Sequence, residues 1–178
     1  GTDSIVRSFR AAVIGFMLVL VFMMAFYRIP GVLASFALVL YVLLTLALLT
    51  WANATMTLPG VAAFILSIGM AVDANVIIFE RLKEEIWSGK GMRMAIDAGF
   101  DRAWTAILDA NVTTLIVAAV LYFLGTAAIK SFAVTLFIGV ACSLFTAVTI
   151  TRWLVTMVGN TRLGENPAMF GAGGMESE

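Results

Sequence analysis

Two carboxylate–amide pairs lie inside apolar stretches of this sequence. The tetrapeptide Asp-Ala-Asn-Val occurs at 73–76 and again at 109–112. If these stretches span a bilayer, a carboxylate there costs at least a few kcal/mol, so it is by default a functional-site candidate. A carboxyl group in low dielectric holds its proton more tightly than one in water. It could therefore load and unload a proton as access alternates between the two sides, and we predict this role for Asp73.

The composition indicates an integral membrane protein. Of the 178 residues, 62% are hydrophobic and 12% are charged, and the mean hydropathy is +1.03. A soluble domain is about half apolar and a quarter charged. The net charge is zero, which argues against a nucleic-acid partner. The sequence has no histidine and one cysteine, so any proton transfer falls to carboxylates.

The sequence has none of the motifs that signal nucleotide hydrolysis, acyl transfer or metal chemistry. It contains no P-loop, no His-Glu-x-x-His helix, no Gly-x-Ser-x-Gly turn and no cysteine cluster. We therefore expect no enzyme activity, no cofactor and no bound metal.

Five apolar segments approach or reach the length of about 20 residues that a transmembrane helix needs. They cover roughly 9–27, 32–52, 59–80, 105–125 and 131–156. The predicted fold is an all-α integral membrane bundle of five transmembrane helices over residues 1–158. An amphipathic helix over about 92–104 is predicted to lie at the inner membrane interface. The polar, glycine-containing segment 159–178 is predicted to be a disordered tail or linker.

Basic residues orient these spans. Lys and Arg are enriched on the cytoplasmic side of membrane proteins. If the loop between the third and fourth spans is cytoplasmic, eight of the 11 Lys and Arg residues lie on the cytoplasmic side and three lie outside. This places the N-terminus outside and the C-terminus in the cytoplasm. The chain begins abruptly, without a methionine or a signal peptide, and we expect it to be a piece of a longer polypeptide.

Helical spacing separates the polar residues of the third span. Asp73 and Asn75 point about 200° apart at 100° per residue, so Asn75 is expected to bond to a neighbouring span. The face of Asp73 also carries Gly69 and Glu80. No Lys or Arg lies at the depth of Asp73, so any counter-charge must come from another chain or another half. The alternative for Asp73 is a structural hydrogen bond to another helix.

The fourth span carries Asp109, Asn111, Thr113 and Thr114. Asp109 lies about one turn inside a helix N-terminus, where a carboxylate favours the helix dipole, so a structural and a functional role are both open. The other three, like Asn75, are typical of hydrogen bonds between spans, with a pathway role as the alternative.

Small residues recur every four positions in the fifth span, at Gly139, Ser143, Ala147 and Thr151. Such a stripe predicts that another helix packs closely against this face.

Several long motifs resemble the SecD family of protein-export membrane proteins. Residues 69–85, Gly-Met-Ala-Val-Asp-Ala-Asn-Val-Ile-Ile-Phe-Glu-Arg-Leu-Lys-Glu-Glu, resemble its fourth transmembrane segment. Residues 109–115 resemble its next segment, and 125–136 with Gly139 and Ser143 resemble the stretch that enters its sixth. Residues 1–5 are similar to the point where the family's periplasmic region rejoins the membrane. The resemblance extends to about residue 158, with Ser131 where the family usually has glycine.

The resemblance implies that the chain comprises spans two to six of SecD. With SecF, separate or fused, SecD forms a pseudo-symmetric twelve-span unit of the resistance-nodulation-division superfamily in the bacterial plasma membrane. The family uses the proton-motive force to assist preproteins leaving the SecYEG channel, and a YajC-like accessory protein is a further expected partner. Its essential intramembrane aspartate corresponds to Asp73, and SecF supplies the opposing charges. The residues expected to line or support the pathway are Asn75, Glu80, Asp109, Asn111, Thr113 and Thr114.

Two other functions remain open at the level of sequence. One is a proton-coupled small-molecule efflux transporter of the same superfamily. The second is a non-conducting scaffold that docks against the translocation channel. The paired Asp-Ala-Asn motifs and the glutamate-rich extension 80–85 favour the export protein over the efflux transporter.

Overall fold

The computed structural model describes residues 1–173, and within them all regular structure is helical. Five helices are long and apolar enough to cross a membrane, as predicted. The bounds are α1 Thr2–Tyr27, α2 Ile29–Trp51, α3 Leu58–Trp87, α4 Met92–Leu124 and α5 Ala127–Phe145. A π-helical segment, Thr146–Thr151, joins α5 to α6, Arg152–Gly159, so that 127–159 form one rod. Two 3-10 turns follow at Arg162–Glu165 and Pro167–Phe170.

The third helix is the centre of the bundle. It contacts α1, α2, α4 and α5, whereas α1 buries only Met23 and Tyr27. Pro59 lies in the first turn of α3, where its missing N–H costs no helical hydrogen bond, and the Thr57 hydroxyl accepts from the Gly60 N–H at 3.2 Å. The start of the helix is thereby fixed.

A close approach of α3 and α5 confirms the predicted small-residue stripe. A Cβ atom on Gly139 would lie 2.5 Å from Ser67 Oγ. The Ser67 hydroxyl accepts a hydrogen bond from Tyr41 Oη at 2.8 Å and donates to the Phe64 carbonyl at 2.8 Å. Only glycine leaves room for this bonded serine at the contact, so α2, α3 and α5 meet at one buried polar point.

Residues 92–104, predicted to form an amphipathic helix that lies at the inner interface and leads into the fourth span, are the first turns of α4 and run straight into that span. Their apolar face, which includes Ile96 and Phe100, is buried against α3 and α6. A Cβ on Gly99 would lie 3.0 Å from Leu82 Cα. Glycine therefore lets α4 cross α3 closely, and protein rather than the lipid interface covers this apolar face.

The segment after α6 is folded up to Gly173, so the disordered alternative predicted for 159–178 is wrong over these residues, and the linker alternative stays a prediction. Phe170 is 1% exposed and packs into the core formed with Phe79 and Tyr27. Trp87 Nε1 donates to the Ala172 carbonyl at 3.1 Å, and the Arg28 guanidinium donates to the Ala168 carbonyl at 3.1 Å. One buried aromatic ring and two hydrogen bonds hold the segment, and composition alone did not reveal them. Residues 174–178 of the predicted tail lie outside the described residues.

A buried carboxylate holds the α3–α4 connection. Glu85 is 3% exposed, accepts from the Arg102 guanidinium at 2.5 Å and pairs with the Lys90 ammonium. Hydrogen bonds from Lys90 and Arg102 hold the pKa of Glu85 below its usual value. The two cations come from the loop and from α4, so the ion pairs fix the hairpin beyond the apolar span.

We predict that Gly139→Ala lowers the Tm of the purified chain by several degrees, because the new methyl collides with Ser67 and overpacking costs about 1–3 kcal/mol. Gly69→Ala is the matched control, since nothing lies within 4 Å of a Cβ at that position. Thermal unfolding in detergent measures both variants. Equal Tm values for the two would contradict the described α3–α5 contact.

We also predict a pH-dependent role for Glu85. Its pKa is lower in the folded state, so its stabilising contribution is complete above its unfolded pKa, about 4.3, and is lost as the pH falls through the folded value. Glu85→Gln should lower the Tm by a few degrees at pH 7, and this difference should shrink towards pH 3. Glu84→Gln, at a half-exposed side chain, should change the Tm little. A Glu85→Gln deficit that is constant with pH would be the contrary result.

Candidate functional site

Asp73 lies in the middle of α3, on a face that the other described residues do not cover. Ala62, Leu66, Gly69 and Asp73 follow one another at helical spacing and are all exposed. The opposite face, which carries Ser67, is buried against α2 and α5. Asp73 therefore points out of the bundle formed by the described residues.

Asp73 lines the edge of a small crevice between α3 and α4. Its volume is about 60 Å³, and it is lined by Met70, Asp73, Ala74, Ile77, Ile107, Ala110, Asn111 and Thr114. Asp73 is the only titratable residue among these. Within residues 1–173 it pairs with no Lys or Arg, and no group of three metal-ligating side chains comes together. The site is one carboxyl group with two polar neighbours in apolar walls.

The α4 candidates divide into two pairs. Asn111 and Thr114 line the crevice, and their side chains donate to the Ile107 and Ala110 carbonyls at 2.7 and 3.1 Å. Asp109 and Thr113 are exposed and do not line the crevice, and the Thr113 hydroxyl donates to the Asp109 carbonyl at 3.0 Å. Helical spacing explains the division, since three or four residues return the chain to the same face.

Asn75 bonds to a neighbouring span, as its direction on the helix predicted. Its Nδ2 donates to the Ala71 carbonyl at 3.1 Å, and its Oδ1 accepts from the Thr151 hydroxyl at 2.9 Å. Asn75 is 4% exposed and Thr151 is 0% exposed. The amide therefore ties α3 to the end of the π-helical segment, on the side away from Asp73.

Glu80 is bound at the end of α3 and not in the crevice. It accepts from Tyr27 Oη at 2.8 Å and pairs with Lys83 Nζ at 3.1 Å. The Lys83 ammonium in turn lies 5.3 to 5.9 Å from the ring centroids of Phe26, Tyr27 and Trp87, within reach of cation–π attraction. Glu80 therefore links α3 to α1.

Two residues that sequence reasoning passed over shape this region. Thr151 was identified only as a member of the small-residue stripe, although it is the partner of Asn75. The cluster of threonines at 146, 149 and 151 was the available signal, because hydroxyls that bond back to helix carbonyls often distort helices. Glu85 was passed over because its partners, Lys90 and Arg102, come from a loop and another helix.

We predict that Asp73 and Asn75 differ in their effect on stability. Asp73→Asn should leave the Tm of the purified chain unchanged, because the Asp73 side chain has no bonded partner among residues 1–173. Asn75→Ala should lower the unfolding free energy by about 1–3 kcal/mol, because it leaves the buried Thr151 hydroxyl unpaired. Thermal unfolding in detergent tests both. A large loss with Asp73→Asn would instead support a structural role for the carboxylate.

Comparison with known proteins identifies the family. Residues 2–161 match the sequence model of a family described as protein export membrane protein SecD/SecF, C-terminal. The protein translocase subunit SecD of Acidaminococcus fermentans is 55% identical over 172 residues, which are 97% of this chain and 41% of that protein. SecD of Synechocystis is 51% identical over 172 residues, 96% of this chain and 36% of that protein.

A solved structure agrees with this relationship. The crystal structure of SecDF from Thermus thermophilus, described as a translocon-associated membrane protein, superposes with a TM-score of 0.86 at 40% identity. The match covers 89% of this chain and 22% of that one. The chain thus spans about two fifths of the length of the SecD relatives above. Family model, relatives and structure agree that the chain belongs to the SecD/SecF family of protein-export membrane proteins, with the fold of a SecDF membrane domain.

Proposed function

We propose that these spans form the SecD half of a proton-driven export unit, with Asp73 as the group that carries the proton. The unit uses the proton-motive force to assist preprotein translocation and release at the SecYEG channel. One observation carries the proposal. Within residues 1–173, Asp73 has no Lys or Arg partner and lies on the uncovered face of α3, beside the crevice with Asn111 and Thr114.

The cost of an ionised carboxylate in hydrocarbon requires a second half against this face. SecF, separate or fused, is the proposed partner, and it supplies the opposing charges that this chain lacks at that depth. The protonated carboxyl is neutral and tolerates low dielectric, whereas the ionised form needs a counter-charge. Each protonation state therefore favours a different arrangement of the two halves, and a proton taken up on one side and released on the other shifts the population between them.

The crevice can assist both protonation states of Asp73. Asn111 retains one N–H and its Oδ1, and Thr114 retains its oxygen lone pairs. The amide N–H can donate to an ionised carboxylate, and the oxygens can accept from a protonated one. In this scheme Asn75 and Glu80 support the site by holding α3 in place, whereas Asp109 and Thr113 lie on the exposed face of α4, outside the crevice.

The proposed location is the bacterial plasma membrane, with the N-terminus of the chain outside and its C-terminus in the cytoplasm. The excess of basic residues on the side of the α3–α4 loop supports this orientation. Further proposed partners are the SecYEG channel, the translocating preprotein and a YajC-like accessory protein. Relatives at about 50% identity that are SecD subunits favour export over small-molecule efflux.

We predict that Asp73→Asn in the full-length protein abolishes proton-dependent stimulation of export, because an amide cannot exchange a proton at this site. Proton flux and preprotein translocation in vesicles with an imposed pH gradient measure the effect. Asp109→Asn is the matched control, because this carboxylate lies outside the crevice, and it should retain most of the flux.

A co-purification of the same variants with SecF and the channel separates transport from scaffolding. Asp73→Asn should assemble normally and yet conduct no protons. Undiminished proton flux and export in that variant would disprove the proposed role. Lost assembly with undiminished coupling in the remaining complex would instead favour the scaffold.

A further inference from the structure

The rod formed by residues 127–159 contains a π-helical segment, Thr146–Thr151, beside the middle of α3. Such segments are rare and frequently lie at functional sites. Location alone assigns no role to this one. Its end, however, makes the bond from Thr151 to Asn75, two residues along α3 from Asp73.

The segment keeps the small-residue stripe facing α3. Residues four apart drift by about 40° around an α-helix of 3.6 residues per turn. In a regular α-helix, the three steps of four residues from Gly139 to Thr151 would place Thr151 about 120° away from the face that contacts Ser67. A π turn has i→i+5 bonds and more residues per turn. Each residue in it therefore turns the chain by a smaller angle, which brings Thr151 back towards α3. Both ends of the stripe are accordingly buried.

Two polar contacts hold the face of α3 opposite Asp73. Tyr41 binds Ser67 at 2.8 Å, and Thr151 binds Asn75 at 2.9 Å about two turns further along. Asn75 and Asp73 lie about 200° apart on the same helix. A rotation of α3 that displaces Asn75 from Thr151 therefore also displaces Asp73. On the crevice side, Asn111 and Thr114 form no hydrogen bond to α3 within the described residues, because both side chains donate to carbonyls of their own helix, α4.

We propose that Thr151 is a positioning residue for Asp73. Its hydroxyl holds the Asn75 amide, fixes the rotation of α3 and thereby keeps Asp73 at the crevice that Asn111 and Thr114 also line. This inference rests on the proposed function, because it needs Asp73 to be the proton carrier. Besides Asp73, no titratable side chain of α3 or α4 lines the crevice, so a change in the pH dependence of proton flux reports on the surroundings of Asp73 itself.

Thr151→Val tests this role, since it removes the hydroxyl with little change in shape. In the full-length protein with SecF, we expect proton flux to fall about fivefold, the ratio for one buried hydrogen bond of about 1 kcal/mol, and the midpoint of its pH profile to shift. Thr151→Ser keeps the hydroxyl group and should show the wild-type pH profile of proton flux. Thr146→Val is the matched control: Thr146 is buried in the same segment, but its hydroxyl bonds only to the Ser143 carbonyl of its own rod at 3.2 Å, so the profile should stay wild type.

Asn75→Ser removes the same hydrogen bond from the other side, because the shorter serine side chain cannot reach the Thr151 hydroxyl. It should reproduce the Thr151→Val profile, and the double variant should be no worse than either single one, as expected for residues that act through one bond. If Thr151→Val does not accumulate in the membrane, Asn75→Ser alone carries the test.

A wild-type pH profile in Thr151→Val or Asn75→Ser would overturn the positioning role, even if the Tm falls. An equal shift in Thr146→Val would also overturn it. These outcomes are distinct from failure of the proposed function. If Asp73→Asn abolishes flux while the Asn75 and Thr151 variants leave it unchanged, only the positioning role fails, whereas undiminished flux in Asp73→Asn removes the proton carrier itself.

Discussion

The structure depends on one constraint, which is that an ionised carboxylate cannot face hydrocarbon without a large cost in free energy. Helix α3 buries one face on α2 and α5 and leaves the face of Asp73 uncovered. The described part of the chain provides two polar neighbours for this group at the crevice, Asn111 and Thr114, and no cation. In the proposed function this acid is half of a site, and the partner that covers α3 supplies the other half.

The rest of the bundle serves to hold α3 in place. Gly139 has no side chain where Ser67 approaches, so α3 and α5 can pack closely. The hydrogen bond between Thr151 and Asn75 ties α3 to the π-helical segment two residues from Asp73. At the charged end Glu85 anchors the turn into α4. The bonds of Ser67 and Asn75 thus lie on the faces of α3 away from Asp73, and Glu80 bonds two turns further along the helix.

The sequence predicted the features that depend on local pattern. Hydropathy located the five spans, helical spacing directed Asn75 away from Asp73, and the repeat of small residues predicted that another helix packs closely on the fifth span, without identifying it as α3. The features it did not predict arise from tertiary contacts. Residues 92–104 pack on α3 because Gly99 fits against Leu82, and the segment after α6 is held by Phe170. Nothing in the sequence near these positions specifies their partners.

The most direct test of the central claim is to observe the proton on Asp73. Infrared difference spectroscopy of the full-length protein in lipid, recorded as the pH is stepped, detects a protonated carboxyl group through its carbonyl stretch. A band that appears and disappears with pH, that is absent in Asp73→Asn and that persists in Asp109→Asn is the predicted result. An identical band in the Asp73→Asn protein would contradict the account, because the proton would then reside on another group.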